Sequence, residues 1–132
     1  MSGSLDQLLS AATEARENAR PDYSGFKVGA AVEDSDGRVF GGCNVESASY
    51  GLTICAERTA LFSAIAAGSR TFRRVVVVTA ADPLTPPCGA CRQVLWDFCG
   101  DVEITLANLA GSTRTFRLSA LFPEPFDAKS LD

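Results

Sequence analysis

Two cysteine motifs carry the residues best suited to chemistry in this chain: Cys55-Ala56-Glu57 and, further on, Pro87-Cys88-Gly89-Ala90-Cys91. Thiolates are soft metal ligands, and three of them around one Zn²⁺ leave a tetrahedral position open for water, as in a catalytic rather than a structural site. Glu57, two residues past the first sulfur, is placed to handle that water's proton. The candidate zinc ligands are therefore Cys55, Cys88 and Cys91, with Glu57 as the candidate catalytic residue. The sequence contains no histidine, which removes every Ser-His-Asp or Cys-His triad and every His-ligated metal or haem. A C-x-x-C by itself also marks redox motifs and halves of structural zinc sites.

Such residues need elements that bring them together. The stretch from Cys55 to Ala67 (CAERTALFSAIAA) is rich in helix formers and ends at Gly68, and CGACRQVLWDFC from Cys88 turns helical until Gly100. Each cysteine cluster thus opens a helix, where unpaired N–H groups and the dipole stabilise thiolates. Spacing i, i+3 puts Cys88 and Cys91 on one face of the first turn. Cys55 supplies the third sulfur if the two helix starts meet at one sheet edge. A structural Cys₄ site would need Cys43 or Cys99 as well. Cys99 lies over two turns beyond Cys91 on the same helix and is predicted to be too distant, while Cys43 in a strand is harder to exclude; both otherwise read as small buried residues.

Elsewhere, Leu5, Leu8, Leu9, Ala12, Ala15 and Ala19 recur at helical spacing and predict a helix over residues 4–19, ended by Pro21. Phe26 to Val32 is extended in character, Ser35-Asp36-Gly37 is a turn, and a second strand runs through Val39-Phe40 towards Val45, making a hairpin. Val75–Val78 reads as a strand buried on both faces. Residues 81–87 hold three prolines and are irregular, and strands are predicted over 102–107 and 113–118. The order αββαβαββ implies one α/β domain over residues 1–132, with about five strands and helices on the sheet faces. The tail from Leu121 packs or reaches outward through Phe122 and Phe126.

Twelve basic residues against sixteen acidic ones give a net charge of −4, and no basic run exceeds Arg73-Arg74. Binding to a polyphosphate backbone has little electrostatic support, so a small-molecule partner is expected and no nucleic acid. No stretch approaches the roughly 20 apolar residues of a spanning helix, and no basic start leads into an apolar segment. A cytoplasmic protein without a membrane partner is expected. Five cysteines are an odd number for a disulfide framework, which in a reducing compartment favours metal or redox chemistry.

The joint pattern of C-A-E and a distant P-C-x-x-C has the form of the zinc nucleobase deaminase signature, with Cys in place of its first His. Beyond it, Phe26-Lys27-Val28-Gly29-Ala30-Ala31, Gly42-Cys43-Asn44-Val45-Glu46, Cys55-Ala56-Glu57-Arg58-Thr59-Ala60, Pro87-Cys88-Gly89-Ala90-Cys91-Arg92-Gln93 and Leu121-Phe122-Pro123 with Phe126 occur in order. Through these five blocks the chain resembles the homotetrameric type of cytidine deaminase over nearly its full length. The resemblance implies a three-layer α/β/α fold with a central mixed sheet, and hydrolysis of cytidine and 2′-deoxycytidine to the uridines in pyrimidine salvage. It also implies that Asn44 and Glu46 hold the sugar hydroxyls, that the Ala56 N–H binds the pyrimidine O2, and that the Pro86 carbonyl accepts from the leaving amine. Phe26 would wall the pocket and Phe126 would stack on the base in a neighbouring subunit. Ser47 after Asn44-Val45-Glu46, where the family commonly has Asn, and Gly51-Leu52-Thr53 in place of Pro-Leu-Gly depart from the pattern. Those departures touch the sugar pocket and subunit interface, not the zinc chemistry.

Deamination at C4 requires a nucleophile stronger than neutral water and an acid for N3 and then for the amine. Zinc lowers the pKa of water, and Glu57 would act as base and then acid. Three thiolates on Zn²⁺ carry a net −1, which the two helix starts and Arg58, next to Glu57, are positioned to offset. Glu46 near the sugar would repel a phosphate, favouring a free nucleoside. A deaminase for another aminopyrimidine, and a zinc-stabilised or thiol-redox protein with no need of Glu57, are the alternatives. Sharing of sites between subunits implies a homotetramer, for which Leu61, Phe62 and Ile65 on the Cys55–Ala67 helix offer an apolar packing surface.

Overall fold

The computed structural model describes residues 2–131. Its sheet has five strands in the order β2-β1-β3-β4-β5: β1 (Gly29–Asp34), β2 (Val39–Cys43), β3 (Phe72–Thr79), β4 (Glu103–Asn108) and β5 (Thr113–Arg117). Only β3 and β4 run parallel; β1 is antiparallel to both β2 and β3, and β5 to β4. The sheet is therefore mixed. Helix α1 (Ser2–Arg16) covers one face, and α2 (Ala56–Ala66) and α3 (Gly89–Cys99) belong to the other.

Alternation along β3 shows why the valine run sits at the centre. Val75 and Val77 join the core under α2 and α3, with Ala60, Leu61, Leu95 and Ile104. Val76 and Val78 point the other way, to Leu8 and Ala12 of α1. A strand buried on both faces has no use for polar alternation. Its first half is charged instead, and the charge is matched in register: Arg74 sits opposite Glu33 and Glu103 on the flanking strands, 3.3 Å and 3.9 Å from their carboxylates. Cross-strand pairing thus carries the strand back to Phe72, beyond the 75–78 run that hydropathy alone picks out.

Two glycines allow the helices to lie unusually close to the sheet. A Cβ on Gly29 would fall 1.9 Å from the Ala12 carbonyl oxygen, and one on Gly42 would fall 2.3 Å from Ala60 N and 2.5 Å from Thr59 Oγ1. Gly42 therefore sets the height of α2, and with it the helix start that bears Cys55. The β1–β2 turn is tied by Asp34, whose Oδ1 accepts from the N–H groups of Asp36 and Arg38 while Oδ2 accepts from Arg38 Nε and from Ser69 Oγ at 2.6 Å. These donors, Ser69 foremost, hold the Asp34 carboxyl down at about 2.

Several boundaries differ from the sequence expectation. α1 ends at Arg16, and residues 17–19 continue in tighter turns, each N–H bonding three residues back, so the helical spacing persists to Ala19 without an α-helix. Phe26–Val28 lie outside the ladder, which begins at Gly29. β2 stops at Cys43; Val45 forms only isolated bridges, to Arg20 and Ile54. β4 is shifted by one residue at both ends, β5 stops one residue early, and Leu118 opens a short helix, α4 (Leu118–Leu121), rather than closing the strand. The full order is thus αββαβαββα, with 3₁₀ turns at Tyr50–Leu52 and Ala128–Leu131.

Candidate active site

α2 and α3 both begin where β3 ends, so the two cysteine clusters meet at that edge of the sheet, beyond the carboxyl end of a central strand. Cys55 and Cys88 are the N-cap residues of α2 and α3, one position outside the helices, and Cys91 lies one turn into α3. The Sγ atoms of Cys55, Cys88 and Cys91 all lie within 4.8 Å of one another, and those of Cys55 and Cys88 are 3.7 Å apart. Tetrahedral zinc with bonds of about 2.3 Å spaces its sulfurs by roughly 3.8 Å. Neither Cys43 nor Cys99 belongs to this group, so among the described residues it has three sulfurs and no fourth.

The electrostatics of the trio fit a cation. Cys55 is pulled down to about 5, first by a hydrogen bond from the Cys91 thiol and then, against the cost of burial, by Arg58 and Cys88. Cys91, the donor in that bond and buried, is pushed far up. Cys55 and Cys91 share a proton unequally because two bare negative charges so close repel, and a central divalent ion removes that conflict. Arg58 Nη2 lies 3.5 Å from Cys55 Sγ and from the Thr53 carbonyl oxygen, while its Nε is buried with no partner. The residues present therefore fit zinc, with Arg58 supplying positive charge beside the sulfurs.

Glu57 occupies the first turn of α2, is only 4% exposed and lines the same cavity as Cys55 and Cys88. Burial pushes its carboxyl up to about 7, with the nearby Cys55 adding to the rise and Arg58 opposing it. A carboxyl poised near neutrality can both take and give a proton.

The cavity measures about 240 Å³. Phe26, Asn44, Glu46, Ala56, Glu57 and Pro86 all line it, and no Lys or Arg does. Asn44 is pinned to the backbone, its Oδ1 accepting from Val28 N at 2.9 Å and its Nδ2 donating to Phe26 O at 2.8 Å. Glu46 accepts from Tyr23 N, Ser24 N and Ser24 Oγ, which, with Ser24 Oγ foremost, lower its pKa. Ala56 N–H is in the first turn of α2, where helix geometry leaves donors unpartnered.

Phe126 stands apart from this chain's cavity. Its side chain is 57% exposed, and the backbone there is held by Gln93 Nε2 donating to Phe126 O at 2.6 Å, so it fills no core. Leu61 is fully buried against the sheet, which removes it from the outer face of α2; Phe62, 42% exposed, remains. Tyr50 packs edge-on against Tyr23, with ring centroids 5.9 Å apart. The sequence reading missed Ser24, Val28, Thr53, Val77 and Thr85 in the cavity wall. Val28 and Val77 fall in stretches already read for other reasons, while no motif marks Ser24, Thr53 or Thr85, which arrive from three different loops.

Residues 3–106 match the family model described as "Cytidine and deoxycytidylate deaminase zinc-binding region". The chain is 46% identical to the cytidine deaminase of Halalkalibacterium halodurans over 126 residues, covering 95% of this chain and 96% of that one. A crystal structure of cytidine deaminase from Burkholderia pseudomallei superposes with a TM-score of 0.88 at 50% identity, covering 92% of this chain and 98% of the other. That of Mycobacterium tuberculosis gives 0.80 at 38% identity, covering 92% and 96%. With three sulfurs set for a metal ion at two helix starts and a model matched over most of its length, the chain belongs to the cytidine and deoxycytidylate deaminase zinc-binding family.

Proposed function

We propose that the protein is a cytidine deaminase that hydrolyses cytidine and 2′-deoxycytidine to the corresponding uridines and ammonia, in pyrimidine salvage. The observation that carries this reading is the single cavity whose wall holds Glu57 beside two of the clustered sulfurs and, further round, Asn44 and Glu46. Cys55, Cys88 and Cys91 would hold the zinc, whose contribution when bound is to acidify water to a nucleophile near neutral pH. Glu57 would take a proton from the attacking water and return it to N3 as the O–C4 bond forms, then carry the proton of the new C4 hydroxyl to the amine as the C4–N bond breaks and ammonia leaves. The Ala56 N–H receives the pyrimidine O2, the Pro86 carbonyl accepts from the amine, and Phe26 walls the ring. Asn44 and Glu46 take the sugar hydroxyls.

A cavity wall without Lys or Arg but with Glu46 disfavours a phosphate, which supports a nucleoside over a nucleotide. The whole of residues 1–132 acts as one catalytic domain in this reading. Phe126, exposed and outside the wall of its own chain's cavity, reaches a neighbour's site in a homotetramer, with Phe62 of α2 in the packing surface. A cytoplasmic location accords with a nucleoside substrate, and among the described residues no helix is long and apolar enough to cross a membrane.

Ultraviolet turnover of cytidine beside 2′-deoxycytidine, cytosine and cytidine monophosphate tests the substrate. Turnover of both nucleosides well above the base and the nucleotide is expected; faster turnover of the nucleotide would overturn the reading.

A further inference from the structure

Glu46 is held on one side by a short loop that no chemical motif marks. The N–H groups of Tyr23 and Ser24 both donate to Glu46 Oε1, at 2.9 Å and 2.8 Å. Ser24 Oγ donates to Glu46 Oε2 at 2.5 Å while itself accepting from Phe26 N at 3.0 Å. The loop is closed by Gly25 N donating to Pro21 O at 2.8 Å. One hydroxyl therefore joins the carboxylate at the sugar end of the cavity to the backbone of the aromatic residue that walls it.

An ionised carboxylate offers about four acceptor positions. Both on Oε1 are taken by backbone N–H groups, and one on Oε2 is taken by Ser24. Asn44 Nδ2, at 3.5 Å, sits at the limit of hydrogen bonding to Oε2. One strong acceptor position is left to face the cavity. We propose that Ser24 is a specificity-determining positioning residue, which clamps Glu46 so that it offers a single acceptor to one sugar hydroxyl and keeps that acceptor in register with Phe26. Such a reader recognises that a sugar hydroxyl is present and is indifferent to a second one. The inference rests on the nucleoside deaminase reading given above. The lowered pKa of Glu46 accords with it, since Ser24 Oγ is the foremost cause.

The test compares the zinc-loaded parent with Ser24→Ala and Ser24→Thr on cytidine, 2′-deoxycytidine and 2′,3′-dideoxycytidine. Hydrogen bonds to charged groups support an effect of about tenfold. For Ser24→Ala, KM should rise by about that factor for cytidine and 2′-deoxycytidine, with kcat and zinc content close to the parent's. For 2′,3′-dideoxycytidine, which offers no 2′- or 3′-hydroxyl, KM should stay within about twofold, because the clamped acceptor is not used. Ser24→Thr, which keeps a hydroxyl, should restore the parental KM. Equal KM changes for all three substrates, a fall in kcat alone, or no change in KM would overturn the role of Ser24 while leaving the deaminase reading intact. Failure of the zinc-loaded parent to turn over any of the three overturns that reading, and this inference with it.

Discussion

Arg58 reaches back over the start of its own helix to place Nη2 3.5 Å from Cys55 Sγ. Because α2 begins at Ala56, the same turn presents a sulfur, a buried carboxyl and a guanidinium within four consecutive residues. Three thiolates leave divalent zinc at −1, and a cation beside one sulfur draws some of that charge away.

The first prediction is one zinc per chain, bound by three sulfurs and one lighter atom. Elemental analysis gives the stoichiometry and X-ray absorption the ligand types. Cys91→Ala should abolish tight binding, whereas Cys99→Ala, outside the sulfur cluster, should leave the zinc content at the parental value. A resting site with four sulfurs would instead mark a structural zinc.

Glu57→Gln separates metal from catalysis. The amide has nearly the same shape and cannot shuttle protons, so turnover of cytidine should fall by about 10²–10⁴. Zinc content should be unchanged. Near-parental turnover by this variant would remove Glu57 from the mechanism.

Asp34 gives the fold a signature in acid. Its folded pKa of about 2 lies below the ordinary value of 3.8, so the stabilisation it confers is complete above the unfolded value and is lost as pH falls through the folded one. Asp34→Asn should therefore lower the melting temperature at pH 6. The gap between parent and variant should close as the pH is taken from about 4 to about 2, read by thermal melts across that range.

Phe126→Ala probes the shared site. Base stacking is worth about 1–3 kcal/mol, so KM for cytidine should rise, while the melting temperature changes little because the ring is exposed within its own chain. Sedimentation of the parent should show a tetramer at assay concentration. A fully active monomer would refute the sharing of sites.

How much could be read from the sequence follows from the range of each interaction. Cys88 and Cys91 are legible as a pair because i, i+3 spacing on a helix start is local geometry, and Val75–Val78 because a run of four valines leaves few alternatives to a doubly covered strand. Cys55 is legible as their partner only through the assumption that two helix starts meet, which the sulfur positions bear out. Ser24 is not legible at all: its hydrogen bond to Glu46 spans 22 residues between two loops. Gly42 likewise reads as one more small residue until α2 is laid over β2 and a Cβ is seen to have no room. Leu61 and Phe62 are neighbours of equal hydropathic weight, and only the helix phase against the sheet decides that the first is buried and the second is not.

Cys55 and Cys88 are 33 residues apart, and the chain between them contains all of α2 and β3. An ion held by both sulfurs is therefore also a cross-link, closing a loop around the central strand as a disulfide would. Closing a loop of that size removes chain entropy worth about 4 kcal/mol from the unfolded state, provided that the ion remains bound there. The cross-link ties the start of α2 to the start of α3, so the catalytic centre and the staple of the fold are one object. Stripping the metal should then loosen the end of the molecule that carries the sulfur cluster before it disturbs the far side of the sheet under α1.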